Sequence, residues 1–479
     1  MNRTIPLILA VALFMENMDS TVIATSLPAI ATDIGTSPIA LKLALTSYLV
    51  SLAIFIPISG WMADRYGAKR VFRMAIGVFI LGSIACAVSG SLLHFVLARF
   101  GQGLGGAMMT PVARLVLVRS TAKRDLVNAM AWLTVPALVG PLVGPPVGGF
   151  ITTFFTWHWI FLINVPIGVV GIWCATRFLP DIEPLEPRPI DFAGFMLSAI
   201  AASGVVFGLS VVSLPALPPI VGLTTLAIGV VSGVAYVRHA WRAKNPILDP
   251  RVFGNLTFRA GITGGTIFRI GNGAVPFLLP LMFQLGFGLT PFQSGMLTFA
   301  SAFGAIMMKF LAPTMLRLGG FRNVLIVAGL LAASFIGING LFTPQTPHLL
   351  IILVLVGSGF LRSLYFTSTN ALVFSEIDDK QASQATAISA VAQQISVALG
   401  VAIAGVILEA FIYVTGQPLG LAAFSTSFMI VAAITATGAL PFLQLAPDAG
   451  SSVSGHGLAR EIRNTSGSVS RSEAEGVGQ

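Results

Sequence analysis

Long apolar stretches, separated by short polar connections, recur along most of the chain. Each stretch has about the 20 residues that an α-helix needs to cross the hydrocarbon core of a membrane. They lie at 5–28, 41–62, 72–92, 95–117, 128–153, 159–179, 192–211, 217–237, 258–283, 292–313, 322–342, 348–373, 385–408 and 421–445. The pattern predicts an all-α integral membrane protein with fourteen transmembrane helices, numbered here as spans 1 to 14.

The composition excludes a soluble globular protein. Charged residues make up 9% of the 479 residues and hydrophobic residues 55%, whereas an ordinary soluble domain has about 25% charged residues. The first apolar stretch contains Glu16 and Asp19 and lacks a cleavage site followed by a soluble domain, so we interpret it as a retained span and not as a signal peptide. The two cysteines and five histidines are scattered singly, and the sequence therefore predicts no metal site.

The 27 lysines and arginines are concentrated in every second connection between spans. If the N-terminus is inside, these connections lie on the cytoplasmic side, in agreement with the positive-inside rule. The net charge of +9 therefore indicates membrane topology and not a nucleic-acid partner. We expect both termini to be cytoplasmic and the protein to span the inner (cytoplasmic) membrane of a bacterium several times.

A weak internal repeat predicts the domain organisation. The pattern R-x-G-x-x-R occurs after span 2, at Arg65, Gly67 and Arg70, and again after span 10, at Arg317, Gly319 and Arg322. Spans 1–6 and 9–14 would then be equivalent halves, which is a known plan of transporters. The predicted units are an N-terminal six-helix bundle at 1–180, two inserted helices at 181–245, a C-terminal six-helix bundle at 246–445 and a disordered, Ser- and Gly-rich cytoplasmic tail at 446–479.

The segment GWMADRYGAKR, at 60–70, forms a very short connection after span 2. It can be a simple basic anchor on the cytoplasmic side. Its glycines and its carboxylate favour a more specific role, because glycine allows helices to approach closely and a carboxylate can pair with a nearby cation or helix end. We therefore expect a conformational latch that breaks when the two halves move. Its candidate residues are Gly60, Asp64, Arg65, Gly67 and Arg70.

The segment ARFGQGLGGAMM, at 98–109, contains the pattern G-x-G-x-x-G inside span 4. A dinucleotide site would require a preceding strand and a soluble βαβ unit, so the glycines indicate close helix packing instead. Arg99 and Gln102 are the polar residues of this segment. Arg99 either has a function within the membrane or extends its side chain to water at the end of the span.

The segment VGPLVGPPVGGF, at 139–150 in span 5, combines a glycine ridge with prolines that disturb helix hydrogen bonds. A packing helix needs such glycines but not the prolines. We expect this ridge to govern packing at the interface between the halves. Its candidate residues are Gly140, Pro141, Gly144, Pro145, Gly148 and Gly149.

Charged residues inside spans are the candidates for a central cavity. Glu16 and Asp19 are separated by about 60° around a helix and share one face of span 1, and burial can raise the pKa of a carboxyl group so that it takes up and releases protons. The alternative is a structural ion pair with a basic residue. Further candidates are Arg269 in span 9, Lys309 in span 10 and Arg362 in span 12.

The equivalence of spans 1 and 9 suggests that Arg269 faces Asp19 or Glu16 across the cavity. The alternative for Arg269 is an anchor to backbone carbonyl groups. The sequence does not decide between these two interpretations.

Several of these segments resemble motifs of the major facilitator superfamily. The 60–70 segment resembles its loop motif, with Met62 in place of the usual Leu, and Arg99, Gln102 and Gly103 resemble its fourth-span motif, whose arginine is implicated in proton coupling. The span 5 ridge resembles the antiporter motif G-P-x-x-G-G. The stretch MDSTVIATSLP, at 18–28, resembles the first-span motif, with Asp19 at the family's aspartate and Ala24 in place of its Asn.

With WHWIFLINVPIG at 157–168, DFAG at 191–194 and NPILDPRVFGN at 245–255, the chain resembles the fourteen-helix drug:proton antiporters of the EmrB/QacA type, and among them the MdtD-like group. The resemblance implies the major facilitator fold, with two six-helix bundles, two inserted helices and alternating access. It implies proton-coupled efflux of small, amphipathic organic compounds by a monomer in the lipid bilayer, with no cofactor and no enzymatic activity. Asp19 would be the main coupling carboxylate, assisted by Glu16 and modulated by Arg99.

Three other functions remain open at this point. An exporter of one defined metabolite, such as a sugar, peptide or siderophore, would carry the same motifs. A non-transporting membrane sensor would usually need a long cytoplasmic domain, which the sequence lacks. An intramembrane enzyme would need a nucleophile and a base or a metal cluster, and the spans contain neither pattern.

Overall fold

A computed structural model of the protein describes residues 4–121, 126–181, 189–212, 214, 217–454 and 456. The described residues form α-helices with short 3-10 and π segments and no strand. The helices are α1 (Thr4–Val22), α2 (Leu27–Asp33), α3 (Lys42–Tyr66), α4 (Ala68–Ala87), α5 (Leu92–Ser120), α6 (Leu126–Phe154), α7 (Trp159–Leu162), α8 (Asn164–Phe178), α9 (Phe192–Val212), α10 (Pro219–Arg242), α11 (Leu256–Leu281), α12 (Pro291–Asn339), α13 (His348–Phe374), α14 (Asp379–Thr415), α15 (Leu421–Thr437) and α16 (Ser451–Ser454). Most of the predicted disordered tail lies outside the described residues.

Eleven helical segments within the described part of the chain are long and apolar enough to cross a membrane. They confirm a multi-pass, all-helical membrane protein. Helices α5 and α6 and the part of α12 before Leu311 are not among the eleven. The count of fourteen spans therefore stays a prediction.

Two tight turns divide long hydrophobic segments into separate helices. Gly67, with φ 87°, is the single residue between α3 and α4. Gly320, with φ 67°, interrupts α12 in the same manner. Side-chain-bearing residues rarely adopt such φ values, so each turn favours glycine. The sequence repeat aligns Gly67 with Gly319, whereas the glycine that makes the second turn is Gly320, one residue later.

The helices pack as two groups with an insertion between them. Helices α1 to α8, called the N half, and α11 to α15, called the C half, meet where α3 packs on α14 and where α6 packs on α12. Helix α9 packs on both α3 and α14, and α10 packs mainly on α9. The boundaries predicted for these units stay predictions. Of the two inserted helices, α9 lies against the seam between α3 and α14 and α10 packs on α9.

The two ends of the bundle differ in how the halves are joined. The end at which α1 begins and α16 lies is called the terminal face, and the other end is the opposite face. Towards the opposite face, one continuous hydrophobic core contains residues of both halves, among them Val22 and Phe161 with Phe277 and Phe283. Towards the terminal face, most core residues of the N half and of the C half belong to separate clusters, and a small cluster at the seam between α3 and α14 contains residues of both halves. The structure is therefore closed at the opposite face.

Candidate functional site

Asp19 lies at the centre of a buried hydrogen-bond network in the N half. Its side chain is 0% exposed. Asp19 Oδ2 accepts from Arg99 Nη1 on α5 at 2.6 Å, and Asp19 Oδ1 accepts from Gln102 Nε2 at 2.9 Å and from Asn164 Nδ2 on α8 at 2.8 Å. These hydrogen bonds connect Asp19 on α1 to side chains of α5 and α8.

The Arg99 guanidinium is enclosed by aromatic rings and by the network. It lies over the Tyr48 ring, 4.3 Å from the centroid, and is 1% exposed. Arg99 Nη1 also donates to Gln102 Oε1. The alternative prediction of an arginine that extends to water at the end of its span is wrong, because this side chain points into the N half.

Two members of the network were not predicted as site residues. Ser83 Oγ accepts from Gln102 Nε2 at 2.8 Å and from Asn164 Nδ2 at 3.2 Å. Asn164 was part of a quoted motif, and an asparagine within an apolar stretch is a signal that it needs a buried partner. Ser83 gave no comparable signal, because a serine can satisfy itself within a helix by bonding to the backbone, as Ser83 also does to Phe79 O.

Glu16 has different surroundings from Asp19. Its side chain is partly exposed, and Glu16 Oε2 accepts from Thr110 Oγ1 on α5 at 2.9 Å. Arg114 on the same helix lies close enough for a favourable Coulomb interaction with it. The two carboxylates therefore do not share one accessible face as expected. The two side chains are separated by about 60° around α1. Asp19 points into the contact with α5 and α8, and Glu16 lies at the edge of that contact.

In the C half, Arg269 on α11 is 3% exposed and donates from Nη2 to Asn370 Oδ1 on α13 at 3.2 Å. Its guanidinium lies over the Phe366 ring, 4.9 Å from the centroid. The structure thus does not place Arg269 against Asp19 or Glu16, since Asp19 is already paired within the N half. Arg362 lies on α13 and is partly exposed. Lys309 lies in α12, but its side chain is outside the described part of the structure.

The residues of the predicted latch surround the turn at Gly67. Asp64 Oδ1 accepts from Arg119 Nη2 at 2.7 Å, so the carboxylate pairs with the end of α5 in the same half. Arg65 and Arg70 are exposed. A side chain at Gly60 would meet no atom within 4 Å, so close helix approach does not explain this glycine. In this conformation Asp64 joins the end of α3 to the end of α5 within the N half.

The glycine ridge of α6 packs mainly on α1. A Cβ at Gly140 would lie 2.8 Å from Phe14 O, and one at Gly144 would lie 2.9 Å from Thr21 Cβ. Gly148 likewise contacts α1, at Val22. The expectation that the whole ridge governs the interface between halves is therefore wrong, because three of its glycines lie within the N half.

The end of the ridge does reach the other half. A Cβ at Gly149 would lie 2.9 Å from Phe292 Cα at the start of α12, and Gly295 lies equally close to Pro145. Pro141 and Pro145 do not break α6, which is continuous from Leu126 to Phe154.

A second buried ion pair lies at the opposite face, and unlike the Asp19–Arg99 pair it joins the two halves. Lys42 Nζ at the start of α3 lies 3.0 Å from Glu409 Oε2 near the end of α14, with side chains 0% and 9% exposed. Gln284 Nε2 also donates to Thr25 O across the halves at 2.9 Å. The sequence placed Lys42 at the outer edge of span 2 and Glu409 just beyond span 13, but nothing in the sequence paired them.

Within the described residues, no group of three or more His, Cys, Asp or Glu side chains could hold a metal ion. Apart from the Lys42–Glu409 pair at the opposite face, the described charged groups within the bundle are those of the Asp19 network, Glu16 and the two arginines of the C half. These groups form the candidate site for coupled transport.

Comparisons with known proteins agree on the family. The model of the Major Facilitator Superfamily matches residues 9–401, and a second match covers 261–466. The chain is 35% identical over 446 residues to the "Putative multidrug resistance protein MdtD" of Yersinia pestis (strain Pestoides F), which covers 92% of this chain and 96% of that relative.

Solved structures of transporters share the fold. A crystal structure of a D-xylose-proton symporter has a TM-score of 0.68 at 16% identity, and covers 93% of this chain and 98% of that chain. A crystal structure of the peptide transporter POT in complex with sulfate has a TM-score of 0.69 at 14% identity, with 93% and 95% covered. The chain belongs to the major facilitator superfamily and, within it, to the EmrB/QacA-type family that its motifs resemble.

Proposed function

We propose that this protein exports small, amphipathic organic compounds in exchange for protons across the inner membrane of a bacterium. The observation that carries the proposal is the arrangement of two carboxylates in the N half, one buried and ion-paired at Asp19 and one partly exposed at Glu16. The name of the MdtD relative, a multidrug resistance protein, supports efflux of drugs as the kind of transport.

We further propose fourteen transmembrane helices with both termini in the cytoplasm. Helices α5 and α6 and the first part of α12 would supply the three spans beyond the eleven apolar segments. Each is helical over a length that can cross the bilayer, since 20 residues of α-helix measure about 30 Å. The terminal face would then be cytoplasmic, and the structure would be open towards the cytoplasm.

Protonation of Asp19 would couple proton binding to helix movement. An ionised Asp19 satisfies the buried Arg99 cation by a charge-assisted hydrogen bond. A protonated Asp19 can still accept hydrogen bonds from Gln102 and Asn164, but it no longer balances the charge of Arg99. The energy of a buried, uncompensated guanidinium would then favour a rearrangement of α5 against α1.

Glu16 would pass protons between Asp19 and water. It lies one helical turn from Asp19, towards the terminal face, and it is partly exposed. A tenfold proton gradient supplies about 1.4 kcal/mol per proton, and a membrane potential of 100 mV supplies about 2.3 kcal/mol per charge. These energies are sufficient for uphill export without ATP.

The proposal is tested with purified protein in liposomes, using ethidium and carboxyfluorescein as transported probes. We expect an imposed pH gradient to drive accumulation of a probe by the wild type, and Asp19→Asn and Glu16→Gln to abolish gradient-driven accumulation. Asp181→Asn is the matched control, because Asp181 is a carboxylate that is 92% exposed at the terminal face, and it should behave as the wild type. Equal transport with and without the gradient would contradict proton antiport.

A further inference from the structure

We propose that Arg269 and Arg362 of the C half form a subsite for a carboxylate group of the transported compound. The inference rests on the proposed transport function, and it adds the chemical class of substrate that the cavity prefers. Three features of the described residues carry it: an arginine without a compensating anion, a polar stripe on the helix that faces it, and the distribution of acidic residues in the C half.

The Arg269 guanidinium is buried without an anionic partner. Its Nη2 donates to the neutral Asn370 amide at 3.2 Å, whereas its Nε and Nη1 have no hydrogen-bond partner in the described part of the protein. The alternative of an anchor to backbone carbonyl groups is not supported, because no carbonyl accepts from Arg269 there. Two donors of a nearly fully buried cation are thus left without an acceptor.

The side of α13 that faces Arg269 carries a partly exposed polar stripe. Arg362, Phe366 and Asn370 follow each other at intervals of four residues and therefore lie on one side of the helix. Phe366 and Asn370 both contact Arg269, which fixes the direction of the stripe. Arg362 is one turn from Phe366 and therefore lies on the same side of α13.

The stripe lies near the middle of the bundle. Arg269 and Arg362 are each at least twelve residues from the ends of α11 and α13. A charged side chain facing lipid at this depth costs several kcal/mol, about 2.5 or more. Ser363, about 20° from Asn370 around α13, donates from Oγ to Ala305 O on α12 at 2.8 Å, so α12 borders the stripe. Because a charge at this depth avoids lipid, we infer that the cations of the stripe are directed into the protein interior between α11, α12 and α13.

The two halves differ in charge balance at this depth. In the N half, the buried cation Arg99 is paired with Asp19. In the C half, neither Arg269 nor Arg362 has an ion pair with any described residue. Described carboxylates of the C half lie elsewhere: Asp249, Glu376, Asp378 and Asp448 are near the terminal face, and Glu409 is paired with Lys42 near the opposite face.

A carboxylate fits this subsite better than other groups. A guanidinium presents its Nε and Nη donors in a planar fork that matches the two oxygens of a carboxylate. The Phe366 ring beside the fork provides an apolar surface for the part of the compound next to its charge. An aromatic or amphipathic carboxylate therefore satisfies both the unpaired donors and the adjacent ring.

The test compares each carboxylate with its neutral amide at equilibrium. The full-length protein in lipid nanodiscs is titrated with benzoate, 2-naphthoate, benzamide, 2-naphthamide and inorganic phosphate, and binding is followed by tryptophan fluorescence and by the thermal unfolding midpoint. We expect 2-naphthoate to raise the midpoint and to bind about tenfold more tightly than 2-naphthamide, which is the size of effect that one charge-assisted pair provides.

The variants are Arg269→Gln, Arg269→Lys and Arg362→Gln, with Arg238→Gln as the matched control. Arg238 is an exposed arginine of α10, so its loss should leave the preference for the carboxylate unchanged. Arg269→Gln and Arg362→Gln should remove the tenfold preference, and Arg269→Lys should retain part of it because the charge stays. If Arg269→Gln is not monodisperse, Arg362→Gln decides, since Arg362 is partly exposed and its loss leaves no buried donor.

Four results would overturn the proposal, three concerning affinity and one concerning phosphate. The first is that the wild type binds the amides as tightly as the acids. The second is that none of the anions has an effect up to about 50 mM, a concentration well above the millimolar dissociation constants of weak binding. The third is that Arg362→Gln keeps the preference for the carboxylate. Displacement of 2-naphthoate by phosphate at equal concentration would also overturn it, because the site would then be a general phosphate site. These measurements use no gradient, so a failure of proton antiport in liposomes would leave their outcome unaffected.

Discussion

Asp19 and Glu16 lie three residues apart on α1, and their carboxylates are held by different groups. Three donors surround Asp19, from Arg99, Gln102 and Asn164. Glu16 has one hydrogen bond from Thr110 and remains partly exposed. The buried carboxylate thus balances a buried cation, while the other can exchange protons with water.

Replacing Asp19 by Asn should destabilise the protein. The Arg99 guanidinium would stay buried without an anion, and loss of one partner of a buried ion pair costs about 3–5 kcal/mol. We expect a lower thermal unfolding midpoint of Asp19→Asn in detergent, measured by intrinsic fluorescence.

The double variant Asp19→Asn with Arg99→Gln provides the control. It removes both charges, so most of the lost stability should return while gradient-driven transport stays absent. If the midpoint of the double variant fell by the sum of the two single effects, the two residues would not be stabilising each other as a pair.

The sequence allowed Asp19, Arg99 and Gln102 to be selected but not joined. Asp19 was recognisable as a carboxylate within an apolar stretch, and Arg99 and Gln102 as polar residues within another. The sequence could not show that α1 and α5 bring Arg99 and Gln102 within 2.6 Å and 2.9 Å of the Asp19 carboxylate, because these distances depend on how the two helices cross. The separation of about 60° between Glu16 and Asp19 was known, but the direction of the packed face was not.

At the scale of helices, the contact of α6 with α1 depends on small residues. Gly140, Gly144 and Gly148 follow each other at intervals of four residues and bring the two backbones together. The absence of side chains there lets Thr21 and Val22 occupy the space. This contact holds the helix that carries both carboxylates.

Gly144→Ala and Gly60→Ala should have opposite effects. Alanine is a better helix former than glycine by about 1 kcal/mol, so Gly60→Ala, in open space, should raise the unfolding midpoint or leave it unchanged. Gly144→Ala should lower the midpoint because its Cβ overlaps Thr21. The midpoints are measured in the same detergent, and a similar rise in both variants would show that the close contact of α6 with α1 is absent.

The sequence predicted the ridge itself but assigned it to the wrong neighbour. A repeat of glycine at every fourth position indicates a smooth face on a helix. It does not indicate which helix covers that face. Among the described residues of the ridge, Pro145 and Gly149 reach the other half, at the start of α12.

At the scale of the molecule, the Lys42–Glu409 pair closes the opposite face. It joins α3 to α14 with both side chains largely buried, next to the hydrophobic core that the two halves share. Opening this face in alternating access requires the pair to separate. The pair therefore stabilises the conformation that the structure shows.

Lys42→Gln with Glu409→Gln should shift the protein towards a conformation open at the opposite face. The amides can still bond to each other, but they lack the charge attraction that favours the closed state. Spin labels are attached at Ser37 and Gln417, two exposed residues of the opposite face, after replacement of Cys86 and Cys174 by serine. We expect the distance between the labels, measured by electron paramagnetic resonance, to increase.

Lys69→Gln is the control for this shift. Lys69 pairs with the exposed Asp181 at the terminal face, within the N half, and its loss should leave the Ser37 to Gln417 distance unchanged. An unchanged distance in the Lys42 and Glu409 double variant would rule out the pair as a determinant of the closed state.

The overall plan of the molecule was predictable because hydrophobic length and the distribution of basic residues follow from the membrane itself. The conformation was not predictable, because a sequence is common to every state of a transporter. Lys42 and Glu409 lie far apart in the chain, and only the closed opposite face brings them together.

The position of the inserted helices has a consequence for compounds dissolved in the bilayer. Helix α9 covers the seam between α3 and α14 with side chains such as Phe195 and Val206, so lipid tails have no direct path to the interior there. At the other seam, between α6 and α12, no described helix provides such a cover, and Phe150 and Phe154 are exposed. The two seams therefore present different surfaces to the bilayer: a compound dissolved in lipid meets an added helix at one seam and the packed rings of Phe150, Phe154 and Phe292 at the other.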